Sequence, residues 1–152
     1  MGRLHGGPES LRLFRCLLGL LVATLALRFL WRGWLEPLYL RPAMRFSYWG
    51  LGWIKPWPEL WMLRAHLLTL AAAGLAAGLG LRPRLSWGLV LLLFVSLEAW
   101  DKATYLNHYY LLSLLIGLFW VAAGPAPHGL RPPGLPPWLL TALRLQLSLV
   151  WT

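Results

Sequence analysis

Glu98, Asp101, Lys102, Asn107, His108 and Tyr109 fall within one short stretch of an otherwise apolar chain. An amine, two carboxylates, an amide and an imidazole in such proximity can pass protons and hold a substrate oxygen by hydrogen bonds. A lysine beside apolar walls is pushed towards its neutral, basic form, whereas a neighbouring carboxylate favours the ammonium. Lys102 and His108 are the candidate catalytic residues. Asn107, Asp101, Tyr105 and Tyr109 are the candidates for binding substrate. A second reading of the same residues is a salt-bridged turn between two helices, made by Glu98, Asp101 and Lys102 with tyrosines at the interface.

The elements around this stretch decide which groups meet. On an unbroken helix, Glu98, Asp101, Lys102, Tyr105, His108 and Tyr109 would share about one third of the circumference. A turn near 102–106, the expected geometry, sets the end of one helix against the start of the next. Either arrangement gathers the same groups.

The chain is 59% hydrophobic and 12% charged, against about 25% charged for an average soluble domain. Four apolar stretches, 12–31, 65–81, 85–101 and 105–124, read as membrane spans, each near the length that crosses about 30 Å of hydrocarbon. Arg28 falls inside the first and must snorkel or face a partner helix. Pro125 and Pro127 stop the fourth. Residues 138–152 would reach only about 22 Å as a helix, and read as half a span, an interfacial helix or, the favoured reading, a partial fifth span whose continuation is missing. The expected fold is therefore an all-α integral membrane bundle of four transmembrane helices plus a partial fifth, forming one domain over 1–152.

No small-x-small cleavage site follows the first span, so the N-terminus reads as an uncleaved helix rather than a signal peptide. The single cysteine, Cys16, excludes an internal disulfide and points to packing. Basic residues divide evenly between the two sides: Arg3, Arg12, Arg15, Arg82, Arg84 and Arg131 on one, Arg32, Arg41, Arg45, Lys55, Arg64 and Lys102 on the other. The positive-inside rule gives no orientation. The net charge of +9 suits anionic lipid headgroups on both faces. Nucleic acid is not an expected partner, since no soluble domain carries a basic groove. No phosphate-cradling glycine loop, zinc-spaced ligand set or nucleophile elbow is present, and no metal is expected.

Trp31, Trp34, Trp49, Trp53, Trp57 and Trp61, with Tyr39, Phe46 and Tyr48, crowd the connection between the first two spans. Pro56 and Pro58 prevent the tryptophans from forming a single helical stripe. They read either as an interfacial anchoring belt or as a re-entrant lid over a flat lipid-soluble molecule, with Trp53 among the residues contacting it. Gly74 and Gly78 form a GxxxG pair, which predicts a tight internal helix contact, self-association or a contact with another membrane subunit. His66 is either an interfacial histidine or a member of the site.

Asp101-Lys102 followed by Tyr105, Leu106, Asn107, His108, Tyr109, Tyr110 and Leu111 resembles the signature of the vitamin K-dependent gamma-carboxylase superfamily, whose bacterial members are the horizontally transferred transmembrane (HTTM) domain proteins. The segment 50–58 resembles that family's aromatic loop, Gly78, Gly80, Leu81 and Arg82 its helix-ending glycine and arginine, and Leu143 to Gln146 the opening of its next helix. The resemblance covers most of 28–151. It implies that Lys102 deprotonates reduced vitamin K or another quinol, whose oxygenation yields a base strong enough to remove a glutamate gamma proton before carbon dioxide adds. Asn107 and His108 would help to place the quinol. It also implies a bacterial inner-membrane protein with a cytoplasmic N-terminus and the polar motif at the outer face. The family's full carboxylases have further helices and a large non-membrane portion, so complete carboxylation is not expected from this chain alone. The alternatives are a non-catalytic membrane scaffold or partner-binding module and, more remotely, an ion pathway through Glu98, Asp101, Lys102 and His108.

Overall fold

A computed structural model describes residues 8–104, 107–123 and 136–150. Five helices follow in order: α1 Pro8–Trp31, α2 Leu60–Leu79, α3 Pro83–Trp100, α4 Asn107–Ala122 and α5 Pro137–Val150. No strand occurs among the described residues. The first three, of 24, 20 and 18 residues, are long and apolar enough to cross a membrane. The chain is thus an integral membrane protein by its helices. α4 is apolar but has 16 residues, about 24 Å of rise, and α5 has 14. Both fall short of a full crossing by length.

Consecutive helices run antiparallel. Gly19 meets Gly74 and Gly78, His66 meets Leu93, and Phe94 and Trp87 meet Tyr109 and Phe119 with ring centroids 6.0 and 5.2 Å apart. Phe14 stacks on Phe119 at 5.9 Å, which brings α1 back to α4. Gln146 Nε2 donates to the Leu111 carbonyl at 3.2 Å and ties α5 to α4. The core follows this seam through Val22, Leu63, Leu67, Val90, Ile116 and Phe119. Many outward leucines stay exposed, as suits helices whose outer faces meet lipid.

The glycine pair works inside the chain. A methyl built on Gly78 would stand 3.3 Å from the Cys16 carbonyl oxygen and 3.4 Å from Gly19 Cα, so α1 and α2 touch backbone to backbone. Cys16 Sγ and Arg15 Nε both donate to the Gly78 carbonyl, at 3.2 and 3.1 Å. α2 then ends at Gly80, φ +78°, with the Leu81 N–H returning to the Ala76 carbonyl at 2.8 Å. That left-handed stop is inexpensive only for glycine.

Arg28 lies at the other end of α1, its guanidinium 5.4 Å from the Trp34 ring centroid, where Phe29 also packs edge-on at 5.2 Å. The charge is carried on an aromatic face rather than in hydrocarbon. A π-helical turn, Glu36–Leu40, follows and sinks Tyr39 against Trp100 at 5.3 Å. The loop 41–59 then crosses the end of the bundle where α3 stops and α4 begins.

Candidate functional site

α3 ends because Asp101 turns extended, φ −153° and ψ 121°, and a short 3-10 turn, Lys102–Thr104, precedes α4. The polar stretch is therefore not one continuous face. Its break lets the loop dock: the Lys102 N–H donates to the Phe46 carbonyl at 2.7 Å, and the Phe46 N–H donates to Asp101 Oδ1 at 3.2 Å. The Ala103 N–H donates to the same oxygen at 2.9 Å. Asp101, 4% exposed, clasps the loop to the end of α3.

A second clasp holds the far end of the loop. The indole N–H of Trp57 donates to His66 Nδ1 at 3.3 Å. Indole nitrogen is a donor only, so Nδ1 bears no proton and Nε2–H donates to the Leu93 carbonyl at 3.0 Å. His66, 8% exposed, joins loop, α2 and α3 with both ring nitrogens engaged. It is an interfacial clasp.

Between the clasps, Tyr48 and Leu51 overlie the end of α3 and enclose a groove of about 440 Å³ with Val95, Glu98, Ala99, Lys102 and Tyr110. Lys102 is an exposed residue on the groove wall, its Nζ 6.0 Å from the Tyr48 ring centroid, at the outer range of a cation–π contact. The ring beside the amine is thus a phenol and not an indole. Glu98 also borders a second, more enclosed cavity of about 240 Å³, lined by Leu25, Phe29, Leu38, Tyr39, Leu67, Phe94, Leu97, Ala103 and Tyr109. Its Oε1 is buried and has no hydrogen-bond partner among the described residues.

The other sequence candidates are dispersed. Tyr109 lines the enclosed cavity. His108 is exposed, with its ring 4.8 Å from that of Tyr109, and borders neither cavity. Trp53, 76% exposed, borders neither. Asn107 begins α4; its side chain and all of Tyr105 lie outside the described residues. The aromatics of this region divide: Trp31, Trp49, Trp53 and Trp61 are exposed in the manner of a belt, whereas Tyr48 lines the groove and the Trp57 indole bonds to His66. Glu98 is the residue whose importance spacing alone understates, since only the break at Asp101 separates it from Lys102 and sets it between two cavities.

Asp101→Ala, which strands two backbone donors, is expected to cost about 1–3 kcal/mol and to speed amide exchange at Phe46 and Ala103. Asp101→Asn keeps an acceptor oxygen and should cost less. Exchange at Phe46 unchanged by the alanine would refute the clasp.

Among known proteins, the profile of one family, described as HTTM domain, matches residues 6–152. No curated protein and no solved structure matches the chain.

Proposed function

From the premise that this chain belongs to the HTTM domain family, we propose that the Lys102 groove receives a reduced quinone-type lipid and that Lys102 is the base that takes its proton. The observation that carries this reading is the place of Lys102 on a wall shared with Glu98, Tyr48, Leu51, Val95 and Tyr110. Aliphatic and phenolic walls with one amine and one carboxyl suit a flat amphiphile bearing hydroxyl groups. Glu98, on the same wall, supplies a carboxyl that a hydroxyl can satisfy.

A bound quinol would supply an acidic hydroxyl and the electrons, with dioxygen as the oxidant. The chain's own residues do the rest. Lys102 Nζ accepts the proton, Tyr48 steadies the amine, and Asp101 fixes the loop through Phe46, two positions before Tyr48. Tyr110 and Leu51 cover the guest from opposite elements. Asn107 and His108 would help to place the quinol, as the resemblance implies, and Trp53 would meet it only from the loop's outer side. In this reading α4 is a fourth crossing, α5 starts a fifth, and the protein sits in a bacterial inner membrane with its N-terminus cytoplasmic and the groove at the outer face.

The test uses the protein in lipid nanodiscs with reduced 1,4-naphthoquinone, read by oxygen uptake. Saturable uptake above that of empty discs is expected. Uptake equal to the empty-disc background would contradict the catalytic reading and favour a non-catalytic membrane module.

A further inference from the structure

We propose that the end of the bundle opposite the groove carries an arginine-built site for the headgroup phosphate of an anionic phospholipid. Arg15 is held in place there by the backbone of α2. Its Nε donates to the Gly78 carbonyl at 3.1 Å, and its guanidinium lies over Gly80, so close that a Cβ on that glycine would stand 2.9–3.0 Å from it. The terminal N–H groups of that guanidinium remain for a ligand. Arg82 and Arg84 follow Gly80 directly, across the turn from α2 into α3, and Arg12 lies about one helical turn outward from Arg15 on α1. Arg12, Arg82 and Arg84 are exposed.

The chain supplies little negative charge to balance these arginines. It has five acidic residues, and Glu36, Glu59, Glu98 and Asp101 all lie at the loop end of the bundle. Only Glu9, in the first turn of α1, shares the arginines' end. Several cations of the loop end are engaged: Arg41 pairs with Glu36 at 3.1 Å, Arg45 donates to the Tyr39 carbonyl, and Arg28 and Arg32 lie over the Trp34 ring. Arg12, Arg82 and Arg84 have no side-chain partner among the described residues. Like charges gathered in this way repel, and an anion among them turns the repulsion into attraction. A guanidinium also matches a phosphate with two parallel hydrogen bonds. Leu13, Leu17, Leu81 and Leu85 are exposed on the segments that carry the arginines, so a phosphate held at this level leaves its acyl chains against leucine. That favours a phospholipid over a soluble phosphate.

The site does not depend on Lys102 acting as a base. The protein in a neutral detergent is titrated with dioleoylphosphatidylglycerol and with dioleoylphosphatidylcholine, and bound lipid is counted by native mass spectrometry. Phosphatidylglycerol is expected to bind about tenfold more tightly, from the attraction of several arginines to a net negative headgroup. Arg82→Gln combined with Arg84→Gln, made at exposed residues, should remove most of that preference while the thermal midpoint holds. Lys55→Gln combined with Arg64→Gln removes the same charge from exposed residues at the loop end and should leave the preference unchanged. Inorganic pyrophosphate at the concentration of the lipid should not displace it. Equal binding of the two lipids, an equal loss of preference in both double variants, or displacement by pyrophosphate would each overturn the proposal, the last in favour of a soluble anion.

Discussion

Lys102→Ala is expected to lower protein-dependent oxidation of a reduced naphthoquinone by about 10²–10⁴-fold, the range for losing a positioned general base, while the helices stay assembled. Lys102 is exposed, so truncating its side chain opens no core cavity. Its structural tie is the backbone N–H to the Phe46 carbonyl, which alanine keeps. The lost contact with Tyr48 is worth about 0.5–1 kcal/mol at an exposed site, too little to unfold the loop. Lys102→Arg separates the base from a mere charge. A guanidinium retains the positive charge and the aromatic contact but does not give up its proton near neutral pH. Turnover as low in the arginine variant as in the alanine variant supports a base. Recovery by arginine would mean that the charge anchors the ligand and that the proton goes elsewhere.

Gly19→Leu is expected to bring the largest loss of stability, at least about 3 kcal/mol. Even a Cβ there would overlap the Gly74 carbonyl oxygen and lie 2.7 Å from both Gly78 Cα and Gly78 N. Overpacking that side chains can relieve usually costs about 1–3 kcal/mol. Here the obstacle is backbone on a neighbouring helix, so relief requires α1 and α2 to separate, which would also break the Cys16 and Arg15 bonds to Gly78. Gly117 provides the contrast. A Cβ at that position meets nothing within 4 Å, so Gly117→Ala should be neutral or stabilising by up to about 1 kcal/mol. Thermal unfolding in one detergent measures both. Equal midpoints for wild type and Gly19→Leu would show that the close approach of the helices is not needed.

The helices were legible because hydrocarbon imposes long uncharged runs. The expected spans 12–31, 65–81 and 85–101 correspond to helices Pro8–Trp31, Leu60–Leu79 and Pro83–Trp100, differing mainly where amphipathic turns extend an apolar segment into the interface. The break within the polar stretch was also legible, as a turn. Its cause was not: Asp101 stops the helix by accepting backbone N–H groups from Phe46 and Ala103, and a contact 55 positions away in the chain leaves no local mark. For the same reason the loop aromatics could not be sorted. Trp53 and Trp57 look alike in sequence, yet one faces outwards and the other bonds to His66. Gly74 and Gly78 announced a close approach, but only the position of Gly19 shows that the partner is α1 of the same chain.

The most direct measurement is an experimental structure of the protein in lipid, prepared anaerobically with a reduced naphthoquinone. Ligand density is expected in the groove between Tyr48 and Tyr110, with an oxygen within hydrogen-bonding distance of Lys102 Nζ. A ligand bound elsewhere with its oxygens remote from that amine, or a groove that stays clear at saturating quinol, would contradict it.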